Sequence, residues 1–101
     1  MLPHVLMYCS HVCPYCHMAL SLLKRRGVEP ERVYVDELPS RRQEMIRLTG
    51  RTSVPQIFIG EYHVGGYQEL AGLERGGQLA TLLHQDRAGN TTSSAVDGQR
   101  G

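Results

Sequence analysis

The segment "YCSHVCPYC", residues 8–16, constrains this chain most, because all three of its cysteines, Cys9, Cys13 and Cys16, lie within eight residues. The C-x3-C-x2-C spacing is compatible with an iron–sulfur cluster, whereas a lone C-x2-C is typical of a reversible disulfide. Structural zinc usually takes two ligand pairs, and the sequence has no second cysteine pair. The rest of the sequence must therefore decide between a cluster and a redox pair.

Composition narrows the classes of partner and compartment. A chain of 101 residues supports one domain, and its formal charge of +1 argues against nucleic acid as a partner. No apolar run approaches the roughly 20 residues that span a bilayer. The N-terminus "MLPHVLMYCS" lacks a positive region and a cleavage site, so no signal peptide is expected. We therefore expect a cytoplasmic chain, in which closely spaced cysteines are catalytic or bind metal.

Hydrophobic patterning predicts the order β-α-β-α-β-β-α, with the final helical segment interrupted at a double glycine. The predicted strands are residues 5–9, 32–36, 56–59 and 62–64. Helices are predicted from Pro14 to Gly27, from Ser40 (with Gln43 completing a capping box) to Gly50, and over residues 68–75 and 78–84. This order predicts an α/β fold, a central four-stranded mixed sheet flanked by helices on both faces.

The end of the chain differs in composition from the rest. Residues 86–101, "DRAGNTTSSAVDGQRG", contain almost no large apolar side chain. Burial there cannot offset the entropy that ordering costs. We therefore predict one domain over residues 1–85 and a disordered tail over residues 86–101.

The C-x2-C pair lies where the first predicted strand gives way to a helix. The free N–H groups of a helix N-terminus favour an anion, so a thiol at Cys13 is expected to lose its proton readily. Cys16 lies one turn deeper on the same helix face. We expect Cys13 to be exposed and nucleophilic, and Cys16 to be more buried and resolving. Cys9 shares a strand face with Val5 and Met7, where a buried small residue needs no further role.

The motifs "CPYC", "RTSVPQIFIGEYHVGGYQEL" and "ERGGQLATLL" resemble those of the glutaredoxins, in particular the small bacterial dithiol (CPYC) type. The resemblance covers residues 5–83 and implies a thioredoxin-like fold. It also implies an enzyme, a glutathione-disulfide oxidoreductase that reduces protein disulfides and glutathione mixed disulfides. Such an enzyme serves electron transport and cell redox homeostasis through a redox-active centre.

The resemblance also assigns residues position by position. Cys13 matches the family's nucleophile and Cys16 its resolving cysteine, while Tyr15 matches an aromatic residue of the glutathione groove. Val54 and Pro55 match a segment with a cis peptide bond that pairs with the cysteinyl part of glutathione, and Ser53 precedes it where Thr is usual. Four further positions complete the implied glutathione site, Gly66, Gln68 and Glu69 at its γ-glutamyl end and Arg42 at its glycyl carboxylate.

Two departures from the family pattern affect the expected site. Ser10 stands where many members have a lysine that helps to stabilise the thiolate, so the helix terminus must carry more of that effect. Tyr67 replaces a small residue after the double glycine, which either narrows the groove or adds a stacking surface.

The resemblance leaves two alternatives to this glutathione-dependent function. Some glutaredoxins bridge an iron–sulfur cluster between two subunits with the first active-site cysteine and glutathione, although proline within C-x2-C disfavours this. A third reading is a thioredoxin-like redox partner of a reductase.

The expected co-substrate is glutathione, with no metal, and the expected partners are glutathionylated or disulfide-bonded proteins. A monomer that binds neither nucleic acid nor membrane is expected.

Overall fold

The structure, a computed structural model, describes residues 3–84. Its strands are β1 (Val5–Cys9), β2 (Glu31–Tyr34), β3 (Gln56–Ile59) and β4 (Tyr62–Gly65). Its helices are α1 (Pro14–Arg25), α2 (Pro39–Thr49), α3 (Tyr67–Arg75) and α4 (Gln78–Leu83). The predicted order of elements is confirmed. The predicted tail, residues 86–101, lies outside the described residues, as does the end of the predicted domain at residue 85.

The four strands form one sheet in the order β2-β1-β3-β4, so β1 is central. β1 runs parallel to β2, with Leu6 opposite Glu31, and antiparallel to β3, with Val5 opposite Ile59. A turn that begins at Gly60 (φ 60°) joins β3 to β4, and these strands pair antiparallel. The predicted mixed sheet is therefore confirmed, and β1 lies where it can be buried on both faces.

Helices cover both faces of this sheet, as predicted. On one face, side chains of β1 and β3 pack with α1, α3 and α4 in the larger core cluster; its fully buried members are Ala19, Leu23, Ile57, Leu70 and Leu79. On the other face, Tyr8 and Val33 pack against Met45 of α2 in a smaller cluster. Alternation along β1 produces this division, since successive side chains of a strand point to opposite faces. Among residues 3–84, no helix is both long and apolar enough to cross a membrane.

Several predicted boundaries differ from the observed ones by one or two residues, among them the end of β2 and the start of α2. β2 ends at Tyr34 instead of Asp36, because residues 35–37 form a turn in which the Glu37 N–H donates to the Tyr34 carbonyl at 3.1 Å. The predicted capping box of Ser40 and Gln43 does not form, since α2 begins at Pro39 and no side chain caps it. Proline suits the first helical position because its missing N–H has no partner there in any helix.

The register of β1 and β3 brings the candidate site together. Tyr8, near the end of β1, lies opposite Gln56, the first residue of β3. The segment before Gln56 is therefore a neighbour of the loop that leads from β1 into α1. This arrangement places the Val54 carbonyl beside Cys13 Sγ, although 41 residues separate the two in sequence.

Candidate active site

Cys13 is the N-cap residue of α1, and its sulfur caps the helix. Its backbone is extended (φ −146°), and the N–H of Cys16 donates a hydrogen bond to Cys13 Sγ at 3.1 Å. Pro14 occupies the first helical position, which needs no N–H donor. Negative charge on Cys13 Sγ is therefore met by a backbone donor and by the positive end of the helix dipole. This is the helix terminus that the sequence predicted for the thiol.

The expected exposure of Cys13 is wrong. Cys13 is only 8% exposed and Cys16 is 4% exposed, so Cys16 is the more buried by a small margin. The cause is tertiary, because the thiol of Cys13 lies against the main chain of the segment before β3 and donates to the carbonyl oxygen of Val54 at 3.8 Å. The sulfur is thus held against that segment instead of standing free at the end of the helix.

Cys16 and Cys9 are buried thiols whose environment favours the protonated form. Burial, followed by the hydrogen bond with Cys13, raises the pKa of Cys16 to about 12. Burial raises the pKa of Cys9 to about 11. All three cysteines are free thiols. The asymmetry predicted for the C-x2-C pair is therefore present in the hydrogen bonding, since only Cys13 Sγ receives the donor at the helix terminus.

A groove of about 250 Å³ lies between the N-terminus of α1 and that of α3. Its lining contains seven of the predicted site residues, namely Tyr15, Ser53, Val54, Pro55, Gly66, Gln68 and Glu69. The Val54–Pro55 peptide bond is cis, which confirms the expectation from the resemblance. The rings of Tyr15 and Tyr67 have centroids 6.1 Å apart, so they form an aromatic wall of the groove.

The buried side-chain amide of Gln56 holds one side of the groove in place through hydrogen bonds. Gln56 is fully buried, and its side-chain N–H donates to the carbonyl of Ser53 at 3.0 Å. Its side-chain oxygen lies 2.8 Å from Nε2 of His63 on β4. Burial lowers the pKa of His63, which favours the neutral ring. Gln56 therefore ties the segment that carries Val54 and Pro55 to the sheet.

Charged side chains occupy one end of the groove. Glu69 Oε1 accepts the backbone N–H of Gly66 at 2.7 Å, and this bond lowers the pKa of Glu69. Arg51 lines the groove beside it, with Nη2 3.8 Å from Glu69 Oε1. The capping box predicted for α2 is absent, but Glu69 provides this backbone contact for α3.

Arg42 is the one predicted glutathione-binding residue that the structure does not bring into the groove lining. Its guanidinium donates to the carbonyl oxygen of Thr52 at 3.2 Å instead. The arginine that lines the groove is Arg51, which the sequence did not single out. Arg51 follows the helix-ending Gly50 in a loop, where no periodicity indicates the direction of a side chain.

Comparisons with known proteins agree with this architecture. The family model described as glutaredoxin matches residues 5–64. A glutaredoxin of Pseudomonas aeruginosa is 48% identical over 82 residues, which cover 81% of this chain and 98% of that protein. Glutaredoxin 3 of Escherichia coli is 44% identical over 80 residues, covering 79% and 96% of the two chains.

A solved structure shows the same fold. The crystal structure of a buckwheat glutaredoxin–glutathione complex superposes with a TM-score of 0.74 at 25% identity, covering 81% of this chain and 76% of that one. The predicted thioredoxin-like fold is therefore confirmed. Together with the bacterial relatives, this match shows that the chain belongs to the glutaredoxin family of thiol oxidoreductases.

Proposed function

We propose that this glutaredoxin is a glutathione-dependent thiol–disulfide oxidoreductase with Cys13 as nucleophile and Cys16 as resolving thiol. The observation that carries the proposal is the hydrogen bond from Cys16 N–H to Cys13 Sγ at 3.1 Å. It supplies a fixed donor to the one sulfur that must bear negative charge. The thiolate, not the thiol, attacks a disulfide.

Removal of glutathione from a protein takes two exchange steps, and the first step transfers glutathione to the enzyme. The Cys13 thiolate attacks the glutathione sulfur of a glutathionylated protein, and the protein thiolate leaves and takes up a proton. One disulfide breaks and one forms, so the product is a Cys13–glutathione mixed disulfide. The thiolate of a second glutathione then attacks the glutathione sulfur of that disulfide. This releases glutathione disulfide and restores the Cys13 thiolate.

The groove supports this assignment because it can hold the glutathione half of the substrate against Cys13. The Val54 carbonyl lies beside Cys13 Sγ, where it can accept a backbone hydrogen bond from an extended ligand. Tyr15 and Tyr67 bound the same space. The buckwheat relative was solved in complex with glutathione. Holding glutathione here directs attack to its sulfur, so the protein thiol is the leaving group.

Protein disulfides require the second thiol. Cys13 attacks one sulfur of the substrate, and Cys16 then attacks Cys13 Sγ, leaving a Cys13–Cys16 disulfide and a reduced substrate. Burial is the main cause of the raised pKa of Cys16, but the hydrogen bond and charge of Cys13 add to it. These two contributions disappear once Cys13 is in a mixed disulfide. Resolution is thereby coupled to the first step.

The test compares the wild type with Cys13→Ser and Cys16→Ser on two substrates, a glutathionylated peptide and a disulfide-bonded protein. We expect Cys13→Ser to lose both activities. Cys16→Ser should keep glutathione removal and lose reduction of the protein disulfide. Loss of both activities in Cys16→Ser contradicts the roles given to the two thiols. A visible absorbance band after anaerobic purification supports the cluster carrier instead.

We also propose that the enzyme acts as a monomer in the cytoplasm, where glutathione keeps thiols reduced. Its substrates there are glutathionylated or disulfide-bonded proteins. Sedimentation of the reduced protein, with and without glutathione, tests the monomer.

A further inference from the structure

Cys9 is the one cysteine to which the proposed function gives no role. It is the last residue of β1, and it belongs to the same buried cluster as Cys16. Both residues line a cavity of about 80 Å³, and Cys13 does not line it. Among residues 3–84, this cavity and the groove share no lining residue. Two buried thiols therefore meet at a small space outside the groove.

The surroundings of this cavity bring the two sulfurs into one environment. Burial raises the pKa of Cys16, and a hydrogen bond to its sulfur from the backbone of Ser10, the residue after Cys9, acts in the opposite direction. Burial also raises the pKa of Cys9, and the charge of Arg32 opposes that rise. Arg32 lines the same cavity. The cavity thus combines two thiols with a cation that favours a thiolate at Cys9.

We propose that Cys9 is a third redox residue, which exchanges into the oxidised active site and forms a Cys9–Cys16 disulfide. This inference rests on the proposed function, because it starts from the Cys13–Cys16 disulfide that reduction of a protein disulfide leaves behind. The Cys9 thiolate attacks Cys16 Sγ, the Cys13–Cys16 bond breaks, and Cys13 leaves as a thiolate. One disulfide replaces another and the proton of Cys9 goes to solvent, so the step needs no further oxidant.

The helix terminus favours this direction of exchange. The leaving sulfur, Cys13 Sγ, accepts the N–H of Cys16 at 3.1 Å, and a better stabilised thiolate leaves faster. Negative charge moves from a buried sulfur to the end of α1. The attack itself is slow, because at pH 7 a thiol with a pKa of about 11, such as Cys9, is ionised to a fraction on the order of 10⁻⁴. The exchange therefore follows prolonged oxidation and does not accompany each turnover.

The second disulfide changes what the oxidised protein can do. In the Cys13–Cys16 form neither active-site sulfur is a thiolate, so the protein cannot attack a substrate. In the Cys9–Cys16 form Cys13 is a free thiolate without a resolving partner. It can still take glutathione from a glutathionylated protein, but Cys16 cannot close the active-site disulfide. Prolonged oxidation thus leaves a protein that works through one thiol until the Cys9–Cys16 bond is reduced.

The first measurement maps the disulfide over time. The reduced protein is oxidised with one equivalent of dipyridyl disulfide, so that each molecule gains one disulfide, and samples are quenched in acid. The free thiol is blocked with N-ethylmaleimide, and the disulfide is then reduced and alkylated with iodoacetamide. Fragmentation of the tryptic peptide 1–24, which contains all three cysteines, assigns each label. Early samples should carry the maleimide on Cys9 and later samples on Cys13.

The second measurement reads the same exchange as activity. Oxidised wild type that has been aged should release up to one equivalent of peptide thiol from a glutathionylated peptide with no reductant present. Freshly oxidised protein should release almost none, and oxidised Cys9→Ala should release none at any age. The rate of alkylation of Cys13 in the reduced variant reports an intact fold and thiol.

A pair of arginine variants tests the exchange without removing a cysteine. Arg32→Gln removes the cation that lines the cavity, so we expect the exchange to slow by about two- to fivefold. Arg25→Gln removes an exposed charge of α1 outside the cavity and should match the wild type.

Two outcomes contradict the inference, and they differ in what they imply for the proposed function. If the maleimide stays on Cys9 at all times in the oxidised wild type, the inference is overturned while the proposed function stands. If the earliest samples carry the maleimide on Cys16, both are overturned, because Cys16 has then not resolved the mixed disulfide at Cys13.

Discussion

The backbone N–H of Cys16 donates to the sulfur of Cys13 at 3.1 Å, so the first turn of α1 joins the two thiols of the pair through the main chain. Cys13 thereby becomes the cap of its own helix, and Cys16 supplies the donor while its thiol is buried. The two sulfurs differ because of their positions on one helix. Charge on Cys13 is stabilised by the terminus, whereas charge on Cys16 is opposed by burial.

This difference predicts selective alkylation. At pH 7 a thiol with a pKa of about 12, such as Cys16, is ionised to a fraction on the order of 10⁻⁵. We expect iodoacetamide to modify Cys13 rapidly and Cys9 and Cys16 slowly, as measured by mass spectrometry of timed samples. Cys16→Ser should keep the rapid phase and Cys13→Ser should lose it. Rapid labelling of Cys9 or Cys16 in the folded wild type would contradict the assignment.

The buried thiol of Cys9 should make the protein less stable in alkaline solution. Its pKa is raised from 9.0 to about 11, chiefly by burial. Between these values the unfolded chain releases a proton that the folded chain retains, so the free energy of unfolding falls as pH rises above about 9. Below pH 9 this contribution is fully present. Urea unfolding of the reduced protein at several pH values measures the slope.

Two variants, Cys9→Ala and Val5→Ala, are compared for the pH dependence of their stability. The two residues lie on the same buried face of β1. Both lose packing, but only Cys9→Ala removes a titrating group. We expect Cys9→Ala to lose less stability than Val5→Ala between pH 9 and pH 11. Parallel stability curves for the two variants would show that Cys9 does not titrate as its burial requires.

Sequence alone predicted those features of the fold that depend on local pattern. The continuous apolar run of Val5–Cys9 predicts β1 with its observed bounds, and Pro14 marks the start of α1. The cis bond before Pro55 came only from the resemblance to glutaredoxins. Local pattern thus located the C-x2-C pair on its helix, and the family pattern located the opposite wall of the groove.

The features that the sequence did not predict depend on contacts between distant segments. The burial of Cys13 depends on the Val54 carbonyl, 41 residues later. The place of Arg51 depends on its close approach to Gly65 of β4. Arg42 contacts the Thr52 carbonyl, ten residues on, and helical periodicity does not indicate such an acceptor. In each case the partner is set by tertiary packing.

Gln56 predicts a specific cost for removing a buried amide. Replacing Gln56 with Leu leaves the Ser53 carbonyl and the His63 ring nitrogen without their side-chain partner. We expect the free energy of unfolding to fall by about 1–3 kcal/mol. The control is Gln43→Leu, which replaces an exposed glutamine on α2 and should change stability little. Equal urea midpoints for the two variants would show that the amide does not support the segment.

Gly65 predicts an effect on stability and on ligand binding together. It adopts φ +111°, and a Cβ there would stand about 3 Å from the charged atoms of Arg51 and Glu69. Gly27→Ala is the matched control, since Gly27 also has a positive φ (+78°) but no atom within 4 Å of the added Cβ. Gly27→Ala measures the backbone cost alone, about 1–2 kcal/mol. Gly65→Ala should lose more stability than that and should also weaken binding of the glutathione substrate.

The binding measurement separates crowding at the charged pair from general destabilisation. In Gly65→Ala the added methyl must displace Arg51 or Glu69, because the backbone there cannot recede without breaking the pairing of Gly65 with Ile57. The concentration of glutathionylated peptide at half-saturation should therefore rise in Gly65→Ala and remain at the wild-type value in Gly27→Ala. An equal shift of this concentration in both variants would show that the effect comes from lost stability. It would contradict a role for the double glycine in ligand binding.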